Sequence, residues 1–319
     1  MQTVSRGWGD CKDKAAVIVA MLNELGVDAT MVLVRTGHRG RFRSEVASLA
    51  PFDHAIAYVP ELDLYLDGTA EFTGSRELPA MDQGALALQV NAGSAKLVTL
   101  PDNDPKTHVK RRVVSMRLSS SGNAELELAY TTSGASAAAW RQRYAGEATR
   151  RARVLEDLGQ EFPGIDIPSN GLSLNDVSNY EEPVSLRVRA KAPHLWREEG
   201  GTLSLRVTPR ERLAPLYASL ARRRLDVDLG AVAALEERHE IVLPAGYEVK
   251  SAPASTQQTT PFGSYSLELV QEPGKVVIES HVSLAVSRVS PEGYAKFREF
   301  CLAADAAFEA RLVLGARAQ

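Results

Sequence analysis

Cysteine is scarce: this chain of 319 residues has two. Cys11 and Cys301 stand 290 positions apart, and neither lies in a Cys-x-x-Cys spacing. The six histidines are scattered along the chain. No cluster therefore has the ligand spacing of a zinc site, and neither a metal nor another cofactor is expected. An excess of one charge is also missing. Lys and Arg number 37 against 40 Asp and Glu, which gives a net charge of −3 and a pI near 6.1. The basic footprint of a nucleic-acid binder is absent. No run approaches the ~18 consecutive apolar residues of a membrane helix. No secretory signal peptide opens the chain, and no internal repeat is evident. What is present is the composition of a soluble globular protein with room for two or three domains and sizeable cores.

The informative stretch is Gly9-Asp10-Cys11-Lys12-Asp13-Lys14-Ala15. Asp10 is a good helix N-cap, and Asp13 adds negative charge in the first turn. Ala15, Ile18, Leu22 and Leu25 recur at helical spacing with Val19 beside them, and Gly26 closes the pattern as a C′ residue. Cys11 sits at the head of this helix. Thiols at helix N-termini have depressed pKa values and a raised thiolate fraction. Taken on the helix alone, a small buried apolar residue is an equally good reading of Cys11. Lys12 and Lys14 are read as solvated helix charges.

The next elements favour chemistry. Val27 to Arg35, Phe52 to Val59 and Leu62 to Asp67 read as strands, with a polar loop over residues 36–50. A turn centred on Pro60-Glu61 places His54 directly opposite Asp67, at the roughly 5 Å Cβ separation of cross-strand neighbours. A carboxylate there fixes the tautomer of an imidazole and stabilises its imidazolium. Asp53 is the poorer partner, because adjacent strand residues face opposite sides. Cysteine, histidine and aspartate in this order form the layout of a thiol acyl-transfer site. The tetrahedral intermediate needs hydrogen-bond donors. The candidates are the Cys11 backbone N–H, free at the helix end, and the Trp8 indole, which reads more readily as a packing residue.

Gly9-Asp10-Cys11-Lys12-Asp13-Lys14-Ala15, Phe52-Asp53-His54-Ala55 and Leu66-Asp67-Gly68-Thr69 together resemble the transglutaminase-like superfamily. The nearer resemblance is to bacterial members in which an N-terminal domain of unknown function precedes the transglutaminase core and a β-rich region follows it. The motif match covers roughly residues 7–80. More loosely, Arg223 to Leu229, His239 to Pro244 and Ser290-Pro291-Glu292-Gly293-Tyr294 share the likeness. The resemblance implies a papain-like core with Cys11 as nucleophile, His54 as base and acid, and Asp67 as orienter. It implies acyl transfer from, or hydrolysis of, a protein, peptide or peptidoglycan-like amide, without a cofactor, in the periplasm or cell envelope. Cross-linking, deamidation and hydrolysis share one thioester, so the sequence does not separate them. Only ten residues precede Cys11, where the family carries a long region, so the chain is expected to lack an N-terminal part.

The fold class expected is α+β. A truncated papain-like core, helix plus antiparallel sheet, occupies residues 1–85. A connector spans 86–108, a mainly β, sandwich-like domain with helical insertions spans 109–290, and a C-terminal helix covers 291–319. Ala135 to Leu158 reads as one helix, and its arginines as a solvated face. Cys301 falls on the apolar stripe of the last helix. A disulfide to Cys11 is not expected, because it would silence the nucleophile. No cluster in 109–319 suggests chemistry, so that region reads as a support or interaction module. The alternative for the whole chain is a non-catalytic envelope scaffold with a vestigial site.

Overall fold

The computed structural model describes residues 2–39, 48–91, 93–102, 107–195, 198–199, 202–209, 211–230 and 233–317. Most of the expected loop at 36–50 lies outside them. The chain is a mixed α+β protein of two compact units, Met1–Asp104 and Pro105–Gln319.

The first unit begins with a short helix, α1 (Gln2–Arg6), and a longer one, α2 (Cys11–Glu24). Both ends of α2 are set by local chemistry. The Asp10 carboxylate accepts the Asp13 N–H at 3.1 Å, and the Asp13 carboxylate accepts the Asp10 N–H at 3.2 Å. This reciprocal capping box makes Cys11 the first helical residue. At the other end Gly26 N–H donates to Asn23 O and Val27 N–H to Leu22 O, the paired bonds of a Schellman cap. Ala15 is fully buried, and Ile18 and Leu22 are half-buried. Leu25 is exposed, because as the C-cap residue it has left the helical phase.

Five antiparallel strands complete this unit: β1 (Thr30–Arg35), β2 (His54–Val59), β3 (Leu64–Leu66), β4 (Leu86–Asn91) and β5 (Ser94–Thr99). Their spatial order is β3-β2-β1-β4-β5. Helix α2 packs on β2, whose Ala55, Ile56 and Ala57 are buried on both faces. Val32, Val34, Ile56, Tyr65, Leu78, Ala85, Ala87 and Leu100 form the core. Residues 86–99, expected within a connector, are thus two sheet strands. Ala85, Ala87 and Gln89 face the core, while Leu86, Leu88 and Val90 lie on the more open face, so the apolar alternation marks the wrong side of the strand.

The second unit is built on an eight-stranded sheet. Its members are β6 (Val109–Leu118), β7 (Ala124–Thr132), β8 (Leu172–Leu174), β9 (Val184–Ala192), β13 (Ala234–Val242), β15 (Thr256–Thr260), β16 (Gly263–Glu272) and β17 (Lys275–Leu284). The order is β15-β16-β17-β13-β6-β7-β9-β8, and only the β13–β6 pair is parallel among these described strands. A four-stranded sheet holds β10 (Glu198–Glu199), β11 (Thr202–Arg206), β14 (Tyr247–Ser251) and β19 (Arg311–Ala316). Val227–Asp228 (β12) and Arg288–Val289 (β18) pair separately.

Two expectations change here. The helix expected over Ala135 to Leu158 is two, α3 (Ala135–Tyr144) and α4 (Glu147–Gly159). Gly146 interrupts them as the N-cap of α4, a role that glycine fills better than a helix interior. A five-residue helix, α5 (Leu213–Tyr217), follows later. The terminal helix α6 (Tyr294–Ala307) is shorter than the span 291–319, and the chain continues as β19 between β11 and β14. Leu312 and Leu314 alternate with their neighbours and are fully buried, a period-two pattern that the apolar helix before them obscured. Tyr294, Phe297, Phe300, Cys301 and Ala304 of α6 all enter one core, where Tyr265 packs against Phe300 and Phe308.

Candidate active site

His54 opens β2 and Asp67 directly follows β3. The strands pair Ala57 with Leu66, Tyr58 with Tyr65 and Val59 with Leu64. His54 is therefore not directly opposite Asp67, as a turn centred on Pro60-Glu61 requires. Pro60–Leu62 forms a 3-10 turn, and Asp63 follows in the left-handed region at φ 46°. The connection is two residues longer than expected, and the register moves by two. A shift of two keeps both side chains on one face, as a shift of one does not. The diagonal separation is within reach of an imidazole. His54 Nε2 and Asp67 Oδ2 stand 3.1 Å apart, with the side chains only 7% and 1% exposed.

The Asp67 carboxylate is held from its other side as well. Its Oδ1 accepts the Thr69 N–H and the Thr69 hydroxyl, both at 2.7 Å. Burial pushes the Asp67 pKa up, but the bonds from His54 and Thr69 overcome this and keep it below the ordinary carboxyl range. Burial alone disfavours the His54 imidazolium. The hydrogen bond and charge of Asp67 and the charge of Asp82, with a smaller contribution from Cys11, outweigh burial, and the His54 pKa rises from 6.5 to about 9. His54 and Asp67 are thus brought together by one hairpin, and α2, which begins at Cys11, packs on the strand that carries His54. Asp53 is turned away, accepting from Thr36 N–H, Thr36 Oγ1 and Arg39 Nε.

Two glycines explain how the helix approaches so closely. A Cβ on Gly68 would stand 3.0 Å from Ile18 Cδ1 and 3.1 Å from Lys14 Cβ, so α2 lies directly against the turn that carries Asp67. A Cβ on Gly9 would meet Asp13 Cβ at 2.6 Å and Thr3 Cγ2 at 2.7 Å. Both motif glycines serve close packing here rather than a special backbone angle.

The candidate oxyanion donors differ. The Cys11 N–H is in the first turn, where no intrahelical acceptor exists. Trp8 is 69% exposed, with the Arg6 guanidinium 5.7 Å from its ring centroid, so it is not a packing residue. Lys12 pairs with Asp10 at the surface. Both cysteines are free, and Cys301 is fully buried, with its pKa pushed up to about 12 by burial and by the Asp305 charge.

Asp82 was not legible as a site residue. It ends the turn in which its N–H donates to Pro79 O, and it is 0% exposed. Its Oδ2 lies 3.9 Å from His54 Nε2. His54, Asp67 and Asp82 each offer an atom within 4.8 Å of the others, a spacing into which a small cation also fits. No local pattern in Ala80-Met81-Asp82-Gln83-Gly84 pairs it with β2. Only the fold does so.

Residues 202–314, all in the second unit, match the family model DUF3858, a domain of unknown function with a solved structure. The chain is similar to the crystal structure of a "putative protease" from Parabacteroides distasonis, with a TM-score of 0.54 at 12% identity. The alignment covers 98% of this chain and 45% of that one, so this chain spans less than half the length of that protein. At that identity the likeness is one of fold. No curated protein matches the chain.

Proposed function

We propose that this protein is a thiol-dependent acyltransferase or amide hydrolase on a transglutaminase-like, papain-like core. Cys11 is the nucleophile, His54 the acid and base, and Asp67 the orienting carboxylate. The observation that carries this reading is the buried 3.1 Å contact between His54 and Asp67, on a strand against which the helix headed by Cys11 packs. Asp67 takes Nε2, which leaves Nδ1 to exchange a proton with the thiol. Attack of the Cys11 sulfur on an amide carbonyl forms a C–S bond and an oxyanion, which the Cys11 N–H at the start of α2 stabilises. The imidazolium then gives its proton to the departing amine, and a thioester remains. Water, or an acceptor amine, attacks the thioester with His54 as base. The acid or new amide leaves, and the thiol is restored. The substrate class is a protein, peptide or peptidoglycan-like amide, and the word protease attached to the similar structure supports the hydrolytic branch. Trp8 is the second candidate oxyanion donor.

The test is acyl-enzyme capture. The protein is incubated with an activated ester and with a glutamine-containing peptide, quenched in acid and digested. An acyl mass on the Cys11 peptide is expected, absent in Cys11→Ala and formed at least about a hundredfold more slowly in His54→Ala and Asp67→Asn. If no adduct forms on Cys11, or His54→Ala acylates at the full rate, the assignment is wrong and a non-catalytic binding module takes its place.

A further inference from the structure

Asp82 is a buried carboxyl beside His54 and Asp67 to which the triad gives no task. Its carboxyl is fully buried, and neither oxygen has a hydrogen-bond partner of the usual donor kind. Its neighbour is another acceptor, the Asp67 carboxyl, and the two offer oxygens within 4.8 Å of each other. Two carboxyl groups that meet in this way form a hydrogen bond only when a proton lies between them. The proton belongs on Asp82, because Asp67 already accepts from His54 and twice from Thr69.

We propose that Asp82 is a positioning residue of the acyl-transfer site: as a carboxylic acid it donates to the Asp67 carboxylate and holds it against His54. This inference rests on the function proposed above. An ionised Asp82 would set two carboxylates against one imidazolium in a buried pocket, and carboxylates sharing a site resist ionising together. A neutral Asp82 leaves Asp67 as the single anion facing His54 and returns a donor to the otherwise acceptor-only pair, as neutral buried aspartic acids do elsewhere. The groups that bear on Asp82 fit this. Burial raises its pKa most, the Asp67 and Asp53 charges add to that, His54 opposes it, and the value reaches about 7.

The experiment is site-resolved alkylation of Cys11 with iodoacetamide between pH 5 and 10, read by mass spectrometry on the full chain. The variants are Asp82→Asn, Asp82→Ala and His54→Ala. Amide-hydrogen exchange of β1 and β2, in the same unit as Asp82, reports whether each variant is folded. Asp82→Ala is expected to lower the Cys11 rate about tenfold at pH 6.5, the effect of losing one hydrogen bond. Asp82→Asn keeps a neutral donor, so it should stay within about twofold of the parent at pH 6.5 and lose the parent's inflection near pH 7. If Asp82→Ala loses that protection, the Asp82→Asn profile decides alone. An Asp82→Asn variant slowed tenfold, or one that retains the inflection, overturns the proposal. So does protection of Cys11 by added zinc or manganese that depends on Asp82, since the carboxylate would then be a ligand. A slowed His54→Ala with an unchanged Asp82→Ala removes the Asp82 role alone. An unchanged His54→Ala removes the acyl-transfer reading beneath it.

Discussion

At the scale of single residues, three buried side chains, His54, Asp67 and Asp82, meet within 4.8 Å of one another and have shifted pKa values. His54 has its pKa raised to about 9, and Asp82 to about 7. For both groups the folded state holds its proton more tightly than the unfolded chain does. His54 therefore contributes stability that is complete below pH 6.5 and is lost as pH rises through about 9. Asp82 contributes stability that is complete below pH 3.8 and is lost as pH rises through about 7. The two act in the same direction across neutral and alkaline pH. Asp67 acts oppositely, because its lowered pKa contributes stability that is lost only in acid. The thermal midpoint of the first unit is expected to fall between pH 6 and pH 9.5. That fall should shrink in His54→Asn, which has no proton to lose. A scan of unfolding temperature against pH for both proteins checks this. An equal fall in both assigns the effect to other groups.

At the scale of elements, the sequence was most legible where local chemistry decides the outcome. The start of α2 at Cys11 follows from Asp10 and Asp13, and its end from Gly26, each by bonds within six residues. The order Cys11, His54, Asp67 and the shared face of the last two were also readable, because strand parity survives a two-residue change in turn length. What was not readable depends on elements that meet without adjacency in sequence. The pairing of β4 with β1, the entry of β19 between β11 and β14, and the placement of Asp82 all arise that way. The glycine of Leu66-Asp67-Gly68-Thr69 belongs to the same class, since its role is visible only with α2 packed upon it. This gives an element-scale prediction. Gly68→Ala and Gly68→Val should push α2 progressively away from the Asp67 turn, and Cys11 alkylation at neutral pH should slow in that order. His54–Asp67 geometry, read from the His54 ring-nitrogen NMR shifts, should change little. Equal alkylation rates in all three proteins would mean that α2 absorbs the added carbon without moving Cys11.

At the scale of the molecule, each unit carries its own core and its own thiol. The cluster around Val32, Ile56 and Leu100 lies wholly within Met1–Asp104, and the one around Leu126, Phe297 and Leu314 wholly within Pro105–Gln319. The second cluster contains many more large side chains, including Tyr265, Tyr294, Phe300 and Phe308. Apolar burial is the main favourable term in folding, and the fraction of surface buried grows with size. The smaller unit is therefore expected to unfold at lower denaturant, with a shallower dependence on it. Cys11 and Cys301 report the two events with opposite signs. In the proposed acyl-transfer site, the His54 base activates Cys11, so Cys11 should alkylate faster than an unfolded thiol and its rate should drop when the first unit opens. Cys301, fully buried in the second core, alkylates only when that unit opens. Pulse labelling across a urea series should show the Cys11 rate falling before Cys301 begins to react. Coincident midpoints would show that the two cores unfold as one cooperative body.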